Sequence, residues 1–252
     1  MSSSEKSKNN KDKIEFLKER NIISFDVGLT AEEKDSIDKL RIETQLPQFN
    51  FYGPINDGVT EALSAYLSGL GENSEETKTN ISKLVARITE GMIKDFDAES
   101  AWVMLRSFLP NDEYKLPRWH KDGRYFASKE RVYKLIFSIK GAPTRLGKAT
   151  DAEKFEQLEK ESSENFVTNR ISSDNPKKFE DEGIRIRKEL ELVVKEIEPL
   201  EVGHAAMYLI GDKDAVIHSE PLIDEPRIFM SVIVGSQDQI NEWKEKSNPD
   251  NK

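Results

Sequence analysis

Histidine occurs at only three positions, His120, His204 and His218, and two of them stand where metal chemistry is feasible. The first lies in Arg118-Trp119-His120-Lys121-Asp122-Gly123. In extended backbone, residues i and i+2 point the same way. His120 and Asp122 would therefore leave one face about 7 Å apart at Cα, close enough for both side chains to reach a single ion. The second, His218, closes the short apolar run that starts at Ala215. Two imidazoles and one carboxylate form a facial set suited to Fe(II), with open positions left for a co-substrate and O2. His204 follows Gly203 and reads as a structural or exposed residue; it is the substitute ligand should His218 fail.

Nine residues after His218 comes Arg227, which opens the segment Arg-Ile-Phe-Met-Ser-Val-Ile-Val. As a strand it puts Arg227, Phe229, Ser231 and Ile233 on one face, and both faces are otherwise nearly all apolar. A buried arginine needs a partner, and a carboxylate fits its planar fork best. A dicarboxylate with one end on the metal and the other on Arg227 would supply one; a salt bridge to Glu220 or Asp224 is the alternative. Arg106, Lys134 and Ser231 also fall on expected core strands and are candidate co-substrate contacts. Trp119, Tyr125 and Phe126 flank the His-x-Asp and belong either to a substrate pocket or to aromatic core.

The elements that must position these residues are strands. Ala101 to Leu109, Val132 to Ile139, Ala205 to Ile210, Ala215 to His218 and Ile228 to Val234 have strand length and strand-favouring composition, with Gly, Pro and Asp turns between them. Such spacing suggests an all-β barrel or sandwich. Ahead of them, Ile22 to Phe25 could form a strand, and Thr30-Ala-Glu-Glu33 has the form of a capping box opening a helix through Leu40. Residues 45–57 read as loop, since they hold two prolines and a glycine. Helices follow over about 59–70 and from about 74, the second carrying the stripe Ile81, Leu84, Val85, Ile88, Met92 and Ile93, which suits packing on a sheet. The charged stretch over about 150–192 reads as a helical insertion, equally a lid over the barrel mouth or a solvated surface pair. Residues 237–246 read as a closing helix.

Composition limits the rest. The chain has 252 residues, a net charge of −9 and no cysteine. Thiolate zinc sites, iron–sulfur clusters, disulfides and cysteine nucleophiles are thereby excluded. The acidic balance argues against non-specific binding to nucleic acid. The polar first 13 residues have no signal-peptide core, and no run approaches a membrane span, so the expectation is a cytoplasmic protein without membrane contact.

The order His-x-Asp, about a hundred residues, a distal His and an Arg nine further on resembles the Fe(II)/2-oxoglutarate-dependent dioxygenase superfamily. Val103 to Pro110, leading towards His-Lys-Asp-Gly, is similar to that family's approach to its first ligand, and Pro199 to Gly203 to its turn before the strand preceding the distal His. The resemblance covers roughly residues 100–235. It implies a mainly β fold with flanking helices (α+β), whose core is a double-stranded β-helix of the jelly-roll or cupin-like kind. It also implies Fe(II) on His120, Asp122 and His218, with 2-oxoglutarate as co-substrate through Arg227, O2 consumed and succinate and CO2 released. The intact Asp122 points to oxygenation rather than halogenation. The family's serine two residues after the arginine is Phe229 here, and Ser231, four residues on, shares its face. The expected organisation is a disordered tail over 1–20, a helical region over 21–98, a catalytic core over 99–238 with the insertion at about 148–192, and a helix and tail over 239–252. A non-catalytic β-helix binding protein, and a cupin-like metalloenzyme without 2-oxoglutarate, are the competing readings. The substrate, a small molecule or a protein, is not named by the sequence.

Overall fold

The computed structural model describes residues 14–123, 131–171, 176–197, 199–211 and 213–247. Ten strands are present among them: β1 (Ile22–Asp26), β2 (Phe49–Gly53), β3 (Ser100–Phe108), β4 (His120–Lys121), β5 (Val132–Lys140), β6 (Arg145–Ala149), β7 (Val194–Glu196), β8 (His204–Ile210), β9 (Ile217–Ser219) and β10 (Arg227–Gly235). Eight of these, β3 to β10, make a double-stranded β-helix. The large antiparallel sheet runs β1-β8-β5-β10-β3-β2 and the small one β4-β9-β6-β7. Strands that follow one another in sequence thus mostly lie in different sheets, and the chain winds around a shared interior.

The helices are α1 (residues 14–20), α2 (Ala31–Lys39), α3 (Asp57–Leu70), α4 (Glu75–Phe96), α5 (Ala152–Ile171), α6 (Pro176–Val193) and α7 (Gln237–Ser247). Thr30 caps α2 through the expected box: its hydroxyl accepts from the Glu33 N–H, and the Glu33 carboxylate accepts from the Thr30 N–H. The α4 stripe packs with α3 against Val103, Leu105, Leu135, Phe137, Met207, Met230 and Val232, on the outer face of the large sheet. The alternate residues of those strands, among them Trp102, Met104, Ile136, Tyr208 and Ile233, face the interior together with Leu146 of the small sheet. No helix among the described residues is long and apolar enough to cross a membrane.

Four departures from the sequence reading have physical reasons. Residues 14–20, assigned to the tail, are helical, and Leu17 anchors them in the main core. Residues 49–53, read as loop, form β2: Pro47 and Pro54 lie outside it, Gly53 is its last residue, and the strand pairs along β3 at the sheet edge. The strand β6 was hidden by its charges and a central glycine. A Cβ on Gly147 would stand 2.6 Å from Val194 Cγ1 and 2.9 Å from Trp119 Cζ3, so glycine lets the indole lie against the strand. The three-residue β7 follows α6 without a break, just beyond the stretch of about 150–192 read as helical, and is too short to show a strand pattern.

The insertion leaves the barrel between β6 and β7 as the α5–α6 hairpin. Phe155, Leu158, Ile186 and Leu190 pack on Trp119, Val194 and Ile217. Neighbouring residues of a strand face opposite ways, so this cluster covers the side of β4 and β9 that His120 and His218 do not occupy. The hairpin braces the small sheet from outside.

Candidate metal centre

Strands β4 and β9 pair so that His120 lies directly opposite His218, with ring centroids 4.3 Å apart. Facing residues in antiparallel strands send their side chains to the same side. The chain leaves β4 at Asp122, whose carbonyl accepts the Gly211 N–H at 2.9 Å, and there Gly123 passes close to the Gly211 backbone. The carboxylate of Asp122 sits between the imidazoles, with Oδ1 3.8 Å from His120 Nε2 and Oδ2 3.4 Å from His218 Nε2. The potential ligand atoms of the three residues all lie within 4.8 Å of one another.

The protonation pattern suits a cation. His120 Nδ1 is 2.8 Å from the Arg118 carbonyl and His218 Nδ1 is 3.2 Å from the Val216 carbonyl. A carbonyl only accepts, so each Nδ1 carries the proton and each Nε2 turns a lone pair inward. Burial, assisted by the other imidazole and by Arg118, pushes His120 down to about 4; burial likewise lowers His218. Burial alone would raise Asp122, but Lys134 and the two histidines outweigh it and hold the carboxyl well below its usual range. At neutral pH two imidazole lone pairs and a carboxylate therefore face one another with no proton to share between rings and carboxylate. Donors of this kind fit Fe(II) or a similar divalent ion.

Arg227 is buried to 1% exposure at the start of β10. Its Nε donates to the Ala142 carbonyl at 2.8 Å, and its Nη2 donates to Ser138 Oγ and Thr144 Oγ1 at 3.2 and 3.1 Å. Phe229 and Phe108 flank the guanidinium, 4.9 and 5.6 Å from its carbon to the ring centroids. All of these partners are neutral. Glu220, one of the two expected salt-bridge partners, is engaged by Arg118 at 2.6 Å. Among the described residues no carboxylate lies within ion-pair distance of Arg227. Desolvation lowers the guanidinium to about 10, so it stays charged at neutral pH. Its direct hydrogen-bond partners leave the buried charge without a carboxylate in contact, with Glu220 and Arg106 acting on it only through space.

No family model matches the chain, and neither does any curated protein. It is similar to several solved structures. One is a Kdo hydroxylase, described as a non-haem Fe(II) alpha-ketoglutarate-dependent dioxygenase in complex with cobalt(II), at 15% identity, 94% coverage of this chain, 86% of that chain and a TM-score of 0.47. Another is a prolyl hydroxylase from Trichoplax adhaerens in complex with a hypoxia-inducible-factor peptide, at 9% identity, 98% coverage of both chains and a TM-score of 0.42. A third is a rice dioxygenase for auxin oxidation, at 10% identity, 85% and 73% coverage and a TM-score of 0.42. At such identities the site is read from its own atoms.

The other candidate residues fall differently. Lys134 does not stand free for a co-substrate: its Nζ is 2.6 Å from Asp122 Oδ2. Arg106 lies opposite Phe229 in the β3–β10 register, hence on the inner face, but it is exposed and its Nε donates to Gln48 Oε1 at 2.6 Å. Ser231 is buried with its hydroxyl 3.8 Å from Met104 Sδ. His204 pairs with Asp26 across β1 and β8 and takes no part in the cluster. Trp119 belongs to the outer cluster under the hairpin, not to a pocket; Arg145 stacks on its ring at 5.1 Å. Tyr125 and Phe126 lie outside the described residues. Tyr208 was missed: fully buried on β8, it lies opposite Lys134 and 5.2 Å from the His218 ring, and its hydroxyl has no partner among the described residues. The one signal for it was a polar tip in the middle of an apolar strand.

Proposed function

We propose that the chain is an Fe(II)- and 2-oxoglutarate-dependent dioxygenase that oxidises a small-molecule or protein substrate and releases succinate and CO2. A single juxtaposition supports this reading: three metal-ligating groups converge inside a double-stranded β-helix in which β10, the strand after β9, opens with a buried arginine that has no carboxylate partner among the described residues. His120, Asp122 and His218 would hold the ion. When bound, Fe(II) would supply O2 activation coupled to oxidative decarboxylation of 2-oxoglutarate.

The chain's own contribution is orientation and exclusion of water. Carbonyls of Arg118 and Val216 fix both imidazole rings with Nε2 inward. Arg227, held by Ala142, Ser138 and Thr144, would take the far carboxylate of 2-oxoglutarate in fork geometry. Ile136, Tyr208, Met104 and Ile233 supply an apolar lining around the site.

The test is an anaerobic titration of the metal-free protein with Fe(II) and 2-oxoglutarate, read by the visible charge-transfer band of the chelated ferrous ion. The band should form in the wild type, vanish in His120→Ala and need far more 2-oxoglutarate in Arg227→Ala. Metal binding without a band would leave a metalloenzyme that does not use 2-oxoglutarate. No metal binding by the folded protein would leave a binding scaffold.

A further inference from the structure

Arg106 is the one exposed residue of β3; the rest of that strand is buried. It lies on the inner face with Trp102 and Met104, opposite Phe229 of β10. A residue that faces the interior and is still exposed marks the place where that interior meets solvent. Asn50, opposite Met104 on the paired strand β2, is exposed there too. The guanidinium of Arg106 is held by neutral groups. Trp102 Nε1 donates to Asn50 Oδ1 at 3.1 Å, Gln48 Nε2 donates to the same oxygen at 2.7 Å, and Gln48 Oε1 accepts from Arg106 Nε at 2.6 Å. This chain of amides fixes the guanidinium through one nitrogen. Both Nη groups are left without a partner among the described residues, and no carboxylate among them lies within ion-pair distance.

Two cations border one ring. Phe229 stands opposite Arg106 in the register and 4.9 Å from the guanidinium carbon of Arg227. Burial has the largest influence on Tyr208 and on Arg227, and Arg106 acts on both through space, as expected of groups around one interior. Arg227 is enclosed and Arg106 is open. The first suits a small co-substrate shut inside the barrel, the second a group that arrives from solvent. In a chain of net charge −9, a fixed cation with its fork free at the rim of the interior favours a negatively charged visitor. Resting on the metal and co-substrate reading above, we infer that Arg106, positioned by Gln48 and Asn50, binds the substrate, and that this substrate carries a carboxylate or phosphate which takes the two Nη groups in fork geometry.

The probes are inorganic phosphate and acetate, offered to the protein loaded with Mn(II) and 2-oxoglutarate and read by paramagnetic relaxation of their phosphorus and carbon nuclei. At least one should relax saturably in the wild type. Arg106→Gln, at an exposed position, should weaken that binding about tenfold or more while Mn(II) and 2-oxoglutarate bind as before. Arg106→Lys keeps the charge without the fork and should fall between. Saturable relaxation of neither probe by the wild type, or equal affinities in wild type and Arg106→Gln, overturns the inference and leaves the metal reading intact. A comparable loss of 2-oxoglutarate affinity in Arg106→Gln also overturns it, because the guanidinium would then serve the co-substrate. Failure of the wild type to bind Mn(II) and 2-oxoglutarate overturns both readings.

Discussion

Glu159 on α5 accepts the backbone N–H of Lys121 at 2.6 Å, across 38 residues of sequence. Lys121 stands between His120 and Asp122, so a carboxylate of the insertion holds the peptide that spaces two candidate ligands. Lys121 also lays its ammonium 2.7 Å from the Lys213 carbonyl and 4.0 Å from Glu156. The hairpin is therefore coupled to the geometry of the centre, although none of its residues enters the cluster.

Removing that acceptor should loosen the metal. Glu159→Ala is expected to weaken Co(II) binding roughly 10- to 100-fold, the usual cost of losing an outer support of a ligand. Glu159→Gln keeps an acceptor oxygen and should retain most of the affinity. Equal Co(II) dissociation constants for Ala and wild type, from direct titration, would show the brace to be irrelevant to the ligands.

The role proposed for Arg227 predicts a ligand-dependent stabilisation. With metal present and 2-oxoglutarate at a hundred times its dissociation constant, binding adds about 2.7 kcal/mol, which raises the melting temperature by roughly 5–10 °C for a chain of this size. In Arg227→Met the metal should still stabilise the protein and 2-oxoglutarate at the same concentration should add almost nothing. A full 2-oxoglutarate shift in that variant would assign the co-substrate to other residues.

Gly141 tests the same site from the backbone. It has φ +81°, and a Cβ there would stand 2.9 Å from Arg227 Cβ and 3.1 Å from its Cα. The next residue, Ala142, carries the carbonyl that accepts from Arg227 Nε. Gly141→Ala should cost about 1–2 kcal/mol for the left-handed backbone, with crowding added, and move the guanidinium. Calorimetry should find 2-oxoglutarate affinity reduced and Mn(II) affinity nearly unchanged; the reverse pattern would contradict the placement.

Protons should compete with the metal only in acid. His120 is depressed to about 4 and His218 is lowered, so in the folded protein both stay neutral as pH falls through the range near 6.5 where an exposed histidine protonates. Metal affinity should accordingly persist below pH 6.5, where an exposed histidine would already be protonated, and be lost as pH approaches 4, where His120 takes a proton. Affinity that begins to fall near pH 6.5 would mean the rings are solvated in the metal-free state.

What the sequence made legible follows from the range of the forces involved. Period-two geometry put His120 and Asp122 on one side, and the alternation of β10 aligned Arg227 with Phe229 and Ser231; both are local. The capping box of α2 is four residues of local chemistry. Pairings between distant segments were not legible. Lys134 meets Asp122 because two sheets close on each other, and Glu220 turns to Arg118 rather than to Arg227. The strands β4 and β7, of two and three residues, are too short to carry a pattern and exist because β9 and β6 lie beside them. The hairpin was legible as helix, but which face it would bury depended on Trp119 and Ile217, far away in sequence.

In the large sheet β10 lies between β3 and β5, and it is the last of the ten strands. A chain emerging from the ribosome therefore makes both flanking strands before the one that joins them. Until residues 227–235 arrive, β3 and β5 have no partner on their inner edges, and the strand that carries Arg227 completes the ladder. Long-range closure of this kind is slow, and it leaves apolar strands exposed while it waits. This barrel cannot be assembled piecemeal from its N-terminus: the segment that bears Arg227 is also the one that closes the large sheet.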